Sequence, residues 1–220
     1  TVITEICQRV ISEMNNFKIL ISSFTNIAVD NVLERLLGKD NLKIIRNGSE
    51  GKVRHSLKSI TRVVDFESID QYNIICATLD SLLFPKWNTN KFDLGIIDEA
   101  SMASLPKLIN IFSKCKNIIL VGDFFQLHPF DDVKGVFPTD RKDYEKCASF
   151  SYFSYLCIRL LKNITDQTDI NTIPLYPLIY NRRSREGLVE FVNDKIYSNL
   201  MEFKREEILC VNEFADHKIG

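Results

Sequence analysis

The chain has 220 residues, 45% apolar and 26% charged, enough for one large domain or two small ones and unlike a disordered or fibrous composition. With 28 lysines and arginines against 29 aspartates and glutamates, the formal net charge is −1, so any surface for nucleic acid or anionic membrane has to be local. No apolar stretch approaches the ~18 residues of a membrane span, and no charged-then-apolar leader opens the sequence.

Val2, Ile3, Ile6, Val10, Ile11 and Met14 repeat at helical spacing, which predicts an amphipathic opening helix. Ile19-Leu20-Ile21 then reads as a strand. Asn26 is a candidate cap for a second helix carrying Ile27, Val29, Val32, Leu33, Leu36 and Leu37, ended by Gly38. Leu42-Lys43-Ile44-Ile45, Ile74-Ile75-Cys76-Ala77, Leu94-Gly95-Ile96-Ile97 and Ile118-Ile119-Leu120-Val121 are further apolar runs. All five read as strands buried on both faces, as in a parallel sheet covered by helices on both sides. Leu105, Leu108, Ile109 and Phe112 make a third helix entered through Pro106. Phe130 to Asp143 reads as a surface loop and Tyr144 to Lys162 as a helix, followed by a linker over Asn163 to Thr172. Leu175 to Tyr180 is a candidate strand, and Ser184 to Leu200 a helix with Leu188, Phe191, Val192 and Ile196 on one face. Alternating helices and strands predict an open, doubly wound α/β sheet. The six cysteines are scattered without a C-x-x-C pair and read as reduced core thiols of an intracellular protein, cytoplasmic or nuclear. The chain begins at Thr1, already in helical periodicity, and reads as a piece of something longer.

Two segments carry the chemistry. Phe92 to Ser101 delivers Asp98 and Glu99 at the carboxyl end of an apolar strand, where open α/β sheets bind ligands. In a nucleoside triphosphatase the first acid would hold Mg²⁺ and the second orient the attacking water; a solvated acidic turn would read the same. Asn117 to Pro129 repeats the pattern, with Gly122 for a tight turn and Gln126 as an uncharged donor and acceptor. Asp98, Glu99 and Gln126 are therefore expected at one sheet edge, beside the start of the opening helix.

D-E-A-S after a buried strand and V-G-D-x-x-Q-L-x-P some twenty residues later resemble motifs II and III of the superfamily 1 helicases. Within that superfamily the type B branch, of nonsense-decay and replication nuclease-helicases, is most alike. Ile19 to Asp30 resembles motif Ia, Ile74 to Leu79 motif Ic, Ser149 to Leu156 the S-x-F-x-x-L signature, and Leu178 to Ser184 motif IV. The resemblance spans Thr1 to about Leu200. It implies a P-loop, RecA-like first motor domain over residues 1–165, then a linker and the start of a second such domain over 166–220. It implies ATP and Mg²⁺ as cofactors, single-stranded DNA or RNA as partner, no membrane, and ATP-driven unwinding by the parent protein. Asp98 would position the metal, Glu99 act as base, Gln126 sense the γ-phosphate and Arg183 reach in from the second domain. Thr1, Asp123 and Arg182 would flank the nucleotide, while Thr25, Asn26 and Thr78 would contact the nucleic-acid backbone.

The sequence also departs from the family. No phosphate loop G-x-x-x-x-G-K-[ST] is present, and motifs V and VI are missing. The opening T-V-I-T-E-I resembles the family's residues immediately after that loop, so the chain is expected to begin at or just past its end. Asn47 to Val53 imitates the loop but reads as a turn. Arg182 stands where the family stacks a tyrosine on adenine. A remnant that binds nucleic acid or a partner without turnover is the alternative function. Arg35 to Arg62 holds eight basic and two acidic residues; it reads either as a solvated face or as a phosphate-contacting one. The three histidines lack metal-ligand spacing, and Asp131 with Asp140-Arg141-Lys142 is a weak nuclease-like triplet.

Overall fold

A computed structural model describes residues 2–63, 66–88, 91–129, 150–165, 175–181, 184, 186–197 and 202–203. Contacts divide it into two units, Thr1–Leu161 and Lys162–Gly220.

In the first unit, α1 (Val2–Glu13) leads into β1 (Ile19–Ser23), α2 (Asn26–Leu36), β2 (Ile44–Asn47), β3 (Thr61–Arg62), β4 (Ile74–Thr78) and β5 (Phe92–Asp98). Then come α3 (Leu105–Phe112), β6 (Cys115–Leu120) and α4 (Tyr152–Thr165). Six strands form one sheet in the order β3-β2-β4-β1-β5-β6, every pair parallel. From β1 the chain builds β2, β3 and β4 on one side, then crosses back to build β5 and β6 on the other. Right-handed crossovers in opposite directions put α2 and α3 on opposite faces of the sheet. The α1–α2 face buries Ile3, Cys7, Val29, Leu33 and Leu36 against Ile19, Ile21, Ile74, Cys76 and Ile96. Leu20, Ile75, Ala77 and Ile97 point the other way, toward the side of Leu108 and Ile111 of α3, all of them buried.

Three of the five expected strands are buried on both faces, and a fourth is displaced: β2 runs Ile44–Asn47, leaving Leu42 and an exposed Lys43 ahead of it. The fifth, β6, is half-exposed, because among the described residues it is the edge of the sheet. The short strand β3 was not legible in the sequence. The cap of α2 is Thr25, whose Oγ1 accepts from Ala28 N at 3.1 Å, and Asn26 is the first helical residue. Gly38, at φ +73°, follows that helix in the left-handed conformation expected of a stop. Pro106 lies in the first turn of α3.

Ser151 Oγ accepts from Ser154 N at 3.3 Å at the start of α4. The helix runs on to Thr165, so the predicted linker begins inside it; residues 130–149 and 166–174, with most of the predicted loop and linker, lie outside the described residues. In the second unit β7 (Tyr180–Asn181) pairs in parallel with β8 (Glu202–Phe203), with α5 (Glu186–Lys195) between them. The predicted strand from Leu175 is regular only at its end. On α5 Val189 is buried, while Leu188, Phe191 and Ile196, expected on the apolar face, are exposed.

The thiols of Cys7 and Cys115 are pushed up to about 12 by burial, which keeps them protonated and inert. No helix among the described residues is long and apolar enough to cross a membrane.

Candidate functional site

Because all six strands run the same way, their carboxyl ends form one edge. β1 is central there, with Ser23 in register with Thr78 of β4 and Asp98 of β5. β5 and β6 leave the sheet together, Ile97 opposite Leu120. Asp98 and Glu99 therefore emerge next to the segment that carries Asp123 and Gln126.

Two backbone bonds join these exits: Val121 N donates to Ile97 O at 2.8 Å and Ala100 N to Val121 O at 2.9 Å. Gly122 allows the approach. A Cβ there would lie 3.1 Å from Ala100 N, 3.2 Å from Ser101 N and 3.1 Å from Phe153 Cε1 of α4. Phe153 belongs to the S-x-F-x-x-L signature, so that helix packs behind the site. Burial, and then the charge of Asp123, raise the pKa of Cys157 on the same helix.

Glu99 adopts φ 53° and ψ 42°, left-handed space that costs a non-glycine residue on the order of 1 kcal/mol. This turn directs the chain into the short helical turn Ala100–Met102, and Glu99 N donates to Asp98 Oδ1 at 3.1 Å. Asp123 shapes the second loop: Oδ1 accepts from Phe125 N at 3.0 Å and Oδ2 from Gln126 Nε2 at 3.1 Å. A primary amide has two N–H groups, so Gln126 keeps one beyond its bond to Asp123.

The donor set suits Mg²⁺, which takes one or two carboxylates and fills its octahedron with water and phosphate oxygens. Asp98 and Glu99 supply such a pair, and no cluster of three or more ligating side chains exists among the described residues. The fit to a nucleotide is partial, since the 220 residues include no loop of the phosphate-cradling type. α1 hands the chain to the start of β1 at the amino edge, so it runs toward that edge and begins toward the carboxyl edge. Thr1, Arg182 and Arg183 lie outside the described residues.

The other three candidates lie at the exits of β1 and β4, tied together by Leu79 N donating to Ser23 O at 3.0 Å. Thr78 Oγ1 accepts from Ser81 N at 3.4 Å, the same pattern three residues apart that Thr25 makes with Ala28. Asn26 Oδ1 accepts from Arg46 Nη2 at 2.7 Å. Arg46, in the middle of a strand-like run, is fully buried and paired with the equally buried Asp30 at 3.1 Å, which no sequence pattern signals. Arg35, Arg54 and Arg62, among the eight cations of the 35–62 segment, also have in-chain partners. Arg54 pairs with Glu34 and Asn31, and Arg62 donates to the Tyr72 hydroxyl at 2.6 Å. The segment is therefore not one uncommitted basic patch. The hydroxyls of Ser22, Ser23 and Ser101 are buried at this edge without a hydrogen-bond partner among the described residues, a feature equally silent in the sequence.

A six-stranded parallel sheet with helices on both faces is the fold of a RecA-like domain. Comparison with known proteins agrees. Residues 52–131 match a family model described as AAA domain (AAA_11). The "DNA replication ATP-dependent helicase/nuclease dna2" of Schizosaccharomyces pombe is 36% identical over 51% of this chain and 9% of its own length. Its Saccharomyces cerevisiae counterpart is 27% identical over 99% of this chain and 14% of its own length. The mouse "5'-3' DNA helicase ZGRF1" is 27% identical over 85% of this chain and 12% of its own length. A solved complex of the arterivirus nonstructural protein 10 helicase with DNA covers 92% of this chain and 38% of its own, at 13% identity and TM-score 0.51, a likeness of fold. The chain is thus similar to a segment of these helicases, and spans about a tenth of the curated relatives it matches.

Proposed function

We propose that this chain forms the hydrolysis edge and part of the nucleic-acid face of a type B superfamily 1 helicase. The parent protein would couple ATP hydrolysis to movement along single-stranded nucleic acid inside the cell. The observation that carries the reading is the meeting of the Asp98–Glu99 turn and the Asp123–Gln126 loop at one carboxyl edge, joined by the bonds through Val121. Asp98 would hold Mg²⁺, which when bound would offset phosphate charge. Glu99 accepts the proton of the attacking water, and the second N–H of Gln126 meets the γ-phosphate. Thr1 and Asp123 flank the nucleotide, Arg182 stacks on its base, and Arg183 reaches the developing charge once the second domain closes; residues 1–165 and 166–220 are the two motor-domain portions. Thr25, Asn26 and Thr78 bind the phosphate chain.

The test is nucleic-acid-stimulated ATP hydrolysis by the parent protein, with and without Glu99→Gln. The substitution should abolish turnover and spare nucleotide binding, whereas binding of single strands without any turnover would leave only the remnant reading. The 220-residue chain alone should be inactive, because nothing in it cradles the β- and γ-phosphates. Mg²⁺- and Glu99-dependent turnover by that chain would refute the assignment of roles.

A further inference from the structure

We infer that Arg46 is a positioning residue for the nucleic-acid face: it holds the Asn26 side chain with its oxygen inward and its amide N–H groups outward, toward a phosphate chain. The inference rests on the nucleic-acid reading above and adds to it a residue outside the motifs that support that reading.

Arg46 sits on β2 with 1% of its surface exposed. Its Nε donates to Asp30 Oδ1 at 3.1 Å, Nη1 to Asn47 O at 2.7 Å and Nη2 to Asn26 Oδ1 at 2.7 Å. The second Asp30 oxygen accepts from Arg54 N at 3.0 Å. The guanidinium is thus fixed from three sides by groups of the fold. Because a guanidinium only donates, the Asn26 atom facing it must be the carbonyl oxygen, and this decides an amide orientation that would otherwise be free to flip. Nδ2 then lies on the far side of a half-buried residue that adjoins the exposed Thr25.

Its neighbours obey the same rule. The Thr25 and Thr78 oxygens accept from Ala28 N and Ser81 N, which leaves the hydroxyl protons as donors. Three neutral side chains with their acceptor atoms engaged make a face of donors, and phosphate oxygens are acceptors only. A freely flipping Asn26 would turn its oxygen toward the phosphate part of the time and be repelled. A lysine at position 46 could keep the charge beside Asp30, but a single ammonium lacks the planar fork that serves Asp30, Asn47 and Asn26 together.

The experiment measures binding of the full 220-residue chain to a fluorescent single-stranded oligothymidylate over a range of salt, with thermal melting alongside. Asn26→Ala and Arg46→Lys should each weaken binding about tenfold, and the double variant should bind no worse than either. The salt dependence should stay unchanged, since a buried Arg46 releases no counterions. Asn26→Asp keeps an acceptor for Arg46 and should melt like the wild type, yet bind at least as weakly as Asn26→Ala. Wild-type affinity in Arg46→Lys or in Asn26→Asp would overturn the inference. So would additive losses in the double variant, or a salt slope lower by about one in Arg46→Lys, the mark of a direct phosphate contact. If Asn26→Ala, Thr25→Ala and Thr78→Ala all bind like the wild type, the nucleic-acid reading itself falls, a result distinct from failure of Arg46 alone.

Discussion

At the exits of β1 and β4 the candidate side chains are neutral and their oxygens are occupied: backbone N–H groups bond Thr25 and Thr78, and Arg46, in a buried ion pair with Asp30, holds Asn26. At the exits of β5 and β6 they are carboxylates and an amide, held by two backbone hydrogen bonds and the tight packing of Gly122. In the proposed reading the first half would meet an anionic chain that is gripped and released. The second would meet a metal and a reacting water, where the need is for fixed negative charge at one place. One parallel sheet supplies both, because every strand delivers its carboxyl end to the same edge.

The sharpest way to break this division is Glu99→Gln in a parent protein that includes its phosphate loop. Loss of the base proposed at Glu99 should lower steady-state ATP turnover by ~10²–10⁴-fold, while affinity for oligothymidylate stays near wild type. A matching loss of oligonucleotide affinity would show that the two halves are not separate. Arg183→Ala should come next, with at least ~10²-fold lower turnover against family arginine fingers of ~10³–10⁵. Arg185→Ala should do little, and equal effects of the two would withdraw the role from Arg183. Gly122→Ala should be milder. Its Cβ would press on the backbone nitrogens of Ala100 and Ser101, costing on the order of 1–3 kcal/mol in denaturant unfolding. It should reduce hydrolysis more than oligonucleotide binding.

The smallest effect belongs to the amino edge, which serves as a control. There Lys116, and then the Lys18 backbone N–H, hold the Asp93 carboxyl below the usual carboxylate range. A lowered folded pKa gives stability that is present above the unfolded value, near 3.9, and lost as pH falls through the folded one. Lys116 is largely exposed, so solvent screening limits the gain to about 0.5–1 kcal/mol. Asp93→Asn should melt lower at pH 7, converge with the wild type in strong acid, and leave hydrolysis untouched.

Three central strands, the starts of α1 and α3 and the placement of Asp98 and Gln126 on neighbouring strand exits were legible because a buried parallel strand is a continuous apolar run; β2 was shifted by two residues and the cap of α2 by one. The edge character of β6 was not legible, since Ile118 to Val121 is as apolar as the central runs; only the sheet order distinguishes it. Thr25 and Asn26 are both good caps one residue apart; in the fold Thr25 caps the helix and the asparagine oxygen accepts from Arg46. Arg46 itself was misleading, because a cation in a basic stretch reads as a phosphate ligand. Its burial depends on Asp30, sixteen positions earlier and on another element. Glu99 showed its carboxylate but not its backbone, since a left-handed glutamate leaves no trace in composition or spacing.

That backbone sets stability against activity at a single position. Glycine at 99 would relieve the left-handed penalty by on the order of 1 kcal/mol and remove the carboxylate proposed as the base. Selection of random variants for heat resistance alone should therefore enrich inactive proteins altered here. A library screened for folding and for turnover would separate at this residue, with the sturdier molecules unable to turn over ATP.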